Sequence, residues 1–172
     1  WVAEHSRKTP EPVFADPDAR YCAVKQYDIS KLVPQAARPH AVDNVVDVTE
    51  LATVKIDQAY LGTCTNGRLA DLELASTILK GSVVHPDVRF VIAPASNDIY
   101  LRAVKKGLID IFVRSGCAVV APGCGPCVGT HNGVLADGEV AISTANRNFK
   151  GRMGNPNSFI YLASPAAVTA SA

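Results

Sequence analysis

The sequence predicts a three-layer α/β/α domain built on a mostly parallel sheet. Short apolar runs typical of buried strands alternate along the chain with longer segments of helical periodicity. The connections between successive strands are long enough for a crossover helix, which parallel pairing requires. Hydrophobic residues make up 48% of the 172 residues and charged residues 19%, a composition typical of one globular domain with a sizeable core.

The start of the chain differs from the rest in composition. The first twenty residues are polar, interrupted by proline and without apolar periodicity, which predicts an extended arm or linker over residues 1–20. The domain itself is predicted to cover residues 21–172. Two short strand-like segments, Lys25–Ile29 and Val45–Val48, precede the alternating part.

Five strands and two helices are predicted in the remainder. The strands are Val54–Gly62, Val88–Ala93, Cys117–Ala121, Val140–Thr144 and Phe159–Ala163. The first helix, Leu69–Lys80, has an apolar face formed by Leu69, Leu72, Ala75 and Leu79. The second helix, Asp98–Ser115, has an apolar face formed by Leu101, Val104, Leu108 and Phe112. Gly107 weakens this second helix locally, and a tail of small residues follows the last strand.

Three segments that leave the carboxyl ends of predicted strands carry unusual polar chemistry. They are GTCTNGR after the first strand, PGCGPCVG after the third and STANRNFKGRMG after the fourth. Their candidate functional residues are Cys64, Cys124, Cys127, Asn146, Arg147 and Arg152. Ligands of α/β sheets bind beyond the carboxyl ends of the strands, so we expect these side chains to share one crevice.

The cysteines indicate a metal site more than a disulfide framework, because the chain has an odd number of them, five. Two thiolates of the Cys124–Cys127 pair can bind one centre, and Cys64 could complete a set of three. Iron–sulfur clusters are normally held by four thiolates, so three would leave one iron open to another ligand. Cys117 starts the strand leading to Cys124, roughly 20 Å away, and is predicted to be buried on the sheet. Neither Cys117 nor Cys22 is expected to be a ligand.

Spacing alone leaves other interpretations open. A Cys-x-x-Cys pair also occurs as a redox pair and as half of a zinc site. A single cysteine such as Cys64 is often a small buried apolar residue. Asn146 and Arg147 could cap a turn, and Arg152 could be a solvated surface charge. His131 could be a metal ligand or a hydrogen-bonded loop histidine.

Taken together, the three motifs resemble the cluster-binding domain of the aconitase family. The resemblance runs from about Asp28 to the C-terminus. The segment PGCGPCVGTHNGVLADGE is similar to archaeal-type and bacterial isopropylmalate dehydratase and homoaconitase large subunits, and less similar to the longer single-chain aconitases. The implied fold is that of the third aconitase domain.

This resemblance implies a [4Fe–4S] cluster whose fourth iron is free to act as a Lewis acid on the substrate. The implied cluster ligands are Cys64, Cys124 and Cys127. Arg147 and Arg152 are implied to bind substrate carboxylates, and Asn146 to lie against the cluster and the substrate. The implied reaction is dehydration and rehydration of a hydroxy-di- or tricarboxylate. Leucine biosynthesis by a 3-isopropylmalate dehydratase large subunit is the first expectation; homoaconitase, aconitase and a methylmalate-type dehydratase are the alternatives.

The acid–base groups of this family come from parts that the 172 residues do not match. They are His, Asp and Glu groups of two earlier domains and a serine of a swivelling domain, which is often a separate small subunit. The catalytic acid and base therefore stay unknown. We expect a fragment of a larger enzyme that is inactive without those domains and that subunit.

The net charge and the hydropathy of the chain argue against a nucleic-acid partner and a membrane span. The formal net charge of +1 disfavours a nucleic-acid partner, and the chain has no apolar run long enough to span a bilayer. No signal peptide opens the chain, so the expected location is cytoplasmic. Two non-enzyme interpretations remain: an RNA-binding regulator, which a gel shift would test, and a structural zinc domain, which metal analysis would test.

Overall fold

The computed structural model describes residues 2–172. Two compact units are present, one ending at Leu32 and the other covering Val33–Ala172. The first unit has one short helix, α1 (Val2–His5), and otherwise irregular backbone. The prediction of a strand over Lys25–Ile29 is wrong. Its five residues are exposed and, within the described part of the chain, have no neighbouring strand to complete their backbone hydrogen bonds.

The second unit is built on a seven-stranded, mostly parallel sheet, which confirms the predicted fold class. The strands are β1 (Gln35–Ala37), β2 (Val45–Asp47), β3 (Gln58–Gly62), β4 (Arg89–Ala93), β5 (Ala118–Val119), β6 (Val140–Ser143) and β7 (Phe159–Ala163). Their spatial order is β2-β1-β7-β6-β3-β4-β5. The strands from β7 to β5 are parallel, whereas β1 pairs antiparallel with both β7 and β2.

The order of the strands creates a switch point in the middle of the sheet. From β3 the chain proceeds outward to β4 and β5, and then returns to β6 on the other side of β3. The connections that follow β3 and β6 therefore leave neighbouring strand ends in opposite directions. Such a divergence opens a crevice at the carboxyl edge, where α/β proteins bind ligands.

Four of the remaining helices cover one face of the sheet. The helices are α2 (Leu69–Leu79), α3 (Asn97–Lys105), α4 (Leu108–Arg114), α5 (Gly125–Val128) and α6 (Pro165–Ala170), and all but α5 lie on this face. Leu72, Ala75 and Leu79 of α2 are buried there, so its predicted apolar face is confirmed. Helix α6 replaces the predicted tail. Ser164 caps its start, since the Ser164 hydroxyl accepts a hydrogen bond from the Ala167 N–H at 3.3 Å.

The prediction of one continuous helix over Asp98–Ser115 is wrong, because the segment forms two helices, α3 and α4. Gly107 has φ +73°, in the left-handed region, and separates α3 from α4. The break rotates the two helices relative to each other, so positions before and after it do not share a face. Leu101 and Val104 are accordingly 59% and 50% exposed, while Phe112 is fully buried.

The other predicted strands are confirmed in position, although β3 and β5 are shorter than expected by several residues. Strand β3 begins at Gln58 and not at Val54, and β5 contains only two residues. Strand β1 was not predicted, because Gln35–Ala37 has neither an apolar run nor a β-branched residue. It is positioned by its antiparallel neighbours.

The second face of the sheet carries α5, a 3₁₀ helix (Arg152–Gly154) and the irregular segment 129–139 in place of long helices. Arg89 connects this segment to the amino edge of the sheet. Its guanidinium donates to both carboxylate oxygens of Glu139, at 2.9 and 2.6 Å, and to Gln58 Oε1 at 3.2 Å. Gln58 in turn donates to the Gly133 carbonyl at 2.9 Å. Among residues 2–172, no helix is long and apolar enough for a membrane span.

Candidate metal centre at the carboxyl edge of the sheet

The ends of β3 and β6 are joined at the switch point by one side chain. The Thr144 hydroxyl accepts a hydrogen bond from the Gly62 N–H at 3.0 Å and donates to the Gly62 carbonyl at 3.1 Å. Gly62 is also pressed against the end of β4, since a Cβ there would lie 2.2 Å from the Ala93 carbonyl oxygen. Glycine is therefore required at position 62, and the position of the loop that follows is fixed by β4 and β6.

Cys64 lies on that loop and is exposed. The Thr63 hydroxyl accepts hydrogen bonds from the backbone N–H groups of Thr65 (3.2 Å) and Asn66 (3.1 Å). Asn66 Oδ1 in turn accepts from the Gly67 N–H at 2.7 Å. These local bonds fold GTCTNGR into a tight turn whose exposed part carries the thiol.

The Cys-x-x-Cys pair forms the single turn of α5. Cys124 precedes the helix and is exposed, whereas Cys127 within it is buried. The turn ends at Gly129, where a Cβ would lie 2.2 Å from both Cα and N of Gly154. The backbone of the cysteine turn is therefore in direct contact with the backbone of the segment that contains Arg152.

Arg152 links that segment to the cysteine pair. Its Nη2 donates to the Cys127 sulfur at 2.8 Å, and its guanidinium carbon lies 5.8 Å from the centre of the Phe149 ring. The Arg152 Nε is buried and has no hydrogen-bond partner within residues 2–172. A guanidinium held in this way has donors left for a bound anion.

The pKa of the Cys127 thiol depends on burial and on the charged groups around it. Burial raises the pKa of its thiol, while the charge of Arg152 and its hydrogen bond act in the opposite direction. Negative charges at Cys64 and Cys124 raise the pKa of Cys127 further. The charges at Cys64 and Cys124 therefore reach the Cys127 thiol.

Asn146 and Arg147, which follow β6, are both exposed. The loop that carries them is anchored by Asn148, a buried residue that sequence analysis passed over. Asn148 Nδ2 donates to the carbonyls of Arg38 (2.8 Å) and Ile160 (3.2 Å). Nothing in the local sequence distinguishes Asn148 from Asn146, because its partners are distant along the chain.

Two further cysteines and His131 complete the residues that the sequence analysis considered as ligands. Cys117 is buried in the core of the opposite face, and this burial raises its pKa to about 12. Cys22 belongs to the first unit and is exposed. His131 is exposed and lies over the cysteine turn, since a Cβ on Gly125 would be 3.2 Å from its Cε1. Within the described residues, no three His, Cys, Asp or Glu side chains are arranged to hold a metal ion.

Comparison with known proteins identifies the family. The sequence profile of the aconitase family (aconitate hydratase) matches residues 3–172. The chain belongs to the aconitase family. Its relatives include 3-isopropylmalate dehydratase large subunit 2 of Archaeoglobus fulgidus, 58% identical over 93% of this chain and 38% of the relative.

Two other relatives carry different names. The 3-isopropylmalate dehydratase large subunit of Halothermothrix orenii is 49% identical over 100% of this chain and 41% of the relative. The probable methanogen homoaconitase large subunit of Methanosarcina mazei is 54% identical over 94% of this chain and 41% of the relative. The chain thus spans about two fifths of the length of these relatives.

Aconitase-family membership implies an iron–sulfur cluster, and the residues at the carboxyl edge fit one. A cluster binds each thiolate through a different iron, so its ligands do not need to converge on one point as those of a single ion do. Arg152 supplies positive charge beside Cys127, where an anionic centre requires it. Tyr60 packs in one buried cluster with Cys127, and its hydroxyl has no hydrogen-bond partner within residues 2–172.

Proposed function

We propose that this chain is the cluster-binding part of an aconitase-family hydro-lyase, and that it holds a [4Fe–4S] cluster. The proposed ligands are Cys64, Cys124 and Cys127. The contact between the Arg152 guanidinium and the Cys127 sulfur is the observation that carries the proposal. It brings a group suited to binding carboxylate directly against a proposed cluster ligand.

The bound cluster would supply one iron without a protein ligand, which acts as a Lewis acid towards the substrate. The chain's own residues would hold and orient the substrate. Arg152 and Arg147 present planar guanidinium groups, which bind carboxylates with two parallel hydrogen bonds as Lys does not. Asn146 supplies amide donors and an acceptor to the same crevice. The acid and base that move protons would come from other parts of the enzyme.

The proposed substrate is a hydroxy-di- or tricarboxylate, and 3-isopropylmalate is the first candidate because of the names of the relatives from Archaeoglobus fulgidus and Halothermothrix orenii. The Methanosarcina mazei relative supports homoaconitate as the second candidate. Since these relatives are named large subunits, a small subunit is the proposed partner. We propose a cytoplasmic location for the assembled enzyme.

Anaerobic reconstitution of the chain with iron and sulfide tests the cluster. The expected result is about four iron and four acid-labile sulfide per chain, with loss of both on Cys→Ser replacement at position 64, 124 or 127. Cys22→Ser is the matched control and should retain full iron content. Bound zinc without sulfide would contradict the cluster and support a structural zinc domain.

Kinetics of the assembled enzyme test the carboxylate site. Arg152→Lys keeps the charge but loses the planar fork, so kcat/KM should fall at least about tenfold, which corresponds to about 1.4 kcal/mol. Iron content should stay unchanged, because Arg152 is not a proposed ligand. Arg102→Lys, which alters an exposed ion pair on α3, is the control. Normal turnover by Arg152→Lys would refute the proposal that Arg152 binds a substrate carboxylate. A side-by-side comparison of turnover of isopropylmalate, homoaconitate, citrate and methylmalate would identify the substrate.

A further inference from the structure

Tyr60 occupies the middle of β3, four residues before Cys64, and is completely buried. Its ring lies on the second face of the sheet in an apolar cluster with Cys127 and Met153. Tyrosine is an unexpected choice for such a position, since a phenylalanine ring would fill it without bringing a polar group into the core.

The hydroxyl of Tyr60 has no hydrogen-bond partner among residues 2–172. Buried polar atoms are nearly always paired, because a lost bond to water is otherwise not replaced. An unpaired one therefore requires an explanation, and a partner that arrives with a ligand is one of the few available.

The surroundings of the hydroxyl indicate what such a partner would be. Burial raises the pKa of Tyr60, and negative charge at Cys127 and then Cys124 raises it further, while Arg152 opposes this effect. A tyrosine hydroxyl is protonated at neutral pH and can donate a hydrogen bond to an acceptor. The Tyr60 ring packs in one buried cluster with Cys127, so a sulfur bound beside Cys127 is the acceptor that a ligand would bring.

We propose that Tyr60 is a positioning residue whose O–H donates a hydrogen bond to a sulfur of the bound cluster beside Cys127. The inference rests on the proposed function, since it requires the cluster. It goes beyond that function by assigning a role to a core residue that is neither a ligand nor a substrate contact. A hydrogen bond to a cluster sulfur stabilises the more negative, reduced state and raises the reduction potential.

Tyr60→Phe tests this role, because it removes only the hydroxyl. The matched control is Tyr161→Phe on β7, a partly buried tyrosine that packs against the core of the opposite face. Each chain is reconstituted anaerobically, analysed for iron and sulfide, and titrated to obtain the one-electron midpoint potential. With full cluster content, Tyr60→Phe should shift the redox equilibrium towards the oxidised state by about tenfold, or about 59 mV, while Tyr161→Phe should match the wild type.

Thermal unfolding with and without the cluster gives a second readout. Without the cluster, Tyr60→Phe should be at least as stable as the wild type, because it removes an unpaired buried hydroxyl. With the cluster, its melting temperature should rise by less than that of the wild type. If Tyr60→Phe takes up less iron while its cluster-free form keeps wild-type stability, the hydroxyl supports the bound centre and the inference holds.

Two results would overturn the inference. Equal potentials for Tyr60→Phe and wild type at full cluster content would mean that the hydroxyl does not contact the cluster, and would leave the proposed function intact. A cluster-free Tyr60→Phe chain that is less stable than wild type would assign the hydroxyl to the fold alone. A wild-type chain that takes up no cluster would instead refute the proposed function, and this inference with it.

Discussion

Replacement of Gly129 by alanine tests whether the cysteine turn and the Arg152 segment depend on one backbone contact. A Cβ at position 129 would lie 2.2 Å from both Cα and N of Gly154 and 2.4 Å from the carbonyl carbon of Met153. Ordinary contacts between carbon atoms begin at about 3.5 Å, so the two backbones must separate by more than about 1 Å. No side-chain rotation can relieve the overlap, because every atom involved belongs to the main chain.

The expected loss of stability has two parts. Gly129 has φ +79°, and an alanine in this region costs about 1–2 kcal/mol. The overlap adds about 1–3 kcal/mol, as for other insertions into well-packed sites. Gly138→Ala is a matched control, because Gly138 has φ +80° and no atom lies within 4 Å of the position that its Cβ would take. The difference between the two variants isolates the overlap.

Urea unfolding of both variants measures this difference, and iron content after reconstitution measures its consequence for the site. The free energy of unfolding of Gly129→Ala should be lower than that of Gly138→Ala by about 1–3 kcal/mol. Its iron content should also be lower, because Arg152 and Cys127 lie on the two segments that separate. Equal stability and equal iron content of the two variants would refute the reasoning.

Three further changes follow from contacts in the core and at the edges of the sheet. The hydrogen bonds from Arg89 lower the pKa of Glu139. A lowered pKa gives stability that is present above the unfolded-state value of about 4.3 and is lost as the pH falls through the folded-state value. Glu139→Gln should therefore cost about 1–2 kcal/mol at neutral pH and progressively less as the pH falls below about 4.3, as measured by urea unfolding across pH. Thr144→Val removes two buried hydrogen bonds to Gly62 and should cost about 2–4 kcal/mol in the same assay. Cys117→Ser places an unpaired hydroxyl in the core and should cost about 1–2 kcal/mol, while iron per folded chain stays unchanged.

The first two of these changes each have a control that separates them from a general effect of mutation. Glu50→Gln alters an exposed ion pair with Arg38 and should change stability by less than about 1 kcal/mol at any pH. Thr77→Val removes one exposed hydrogen bond on α2 and should likewise cost less than about 1 kcal/mol. Loss of iron in Cys117→Ser would point to a fourth thiolate ligand.

Much of the fold could be predicted because its signals are local. The spacing of Leu72, Ala75 and Leu79 within α2 requires only the periodicity of a helix, and the apolar runs of β4, β6 and β7 require only the length of a strand. The three polar motifs could be located for a related reason, since each directly follows a predicted strand.

Other features could not be predicted, because they depend on residues that are distant in sequence. Strand β1 is defined by its neighbours β2 and β7 rather than by its own three residues. The exposure of Leu101 depends on how far Gly107 rotates α3 away from α4. Asn148 and Asn146 are alike in the sequence, and only the carbonyls of Arg38 and Ile160 make one of them buried and structural.

The sequence by itself determined that this is an α/β chain whose cysteine and arginine motifs follow the strands of a parallel sheet, and the resemblance of those motifs to the aconitase family is confirmed by the match over residues 3–172. Only the tertiary structure decided that Arg152 contacts the Cys127 sulfur, that Gly129 and Gly154 touch, and that the buried Tyr60 hydroxyl has no partner in the described part of the chain. The physical reason is that periodicity and turn chemistry act over a few residues, whereas a contact between two loops depends on the whole sheet that positions them.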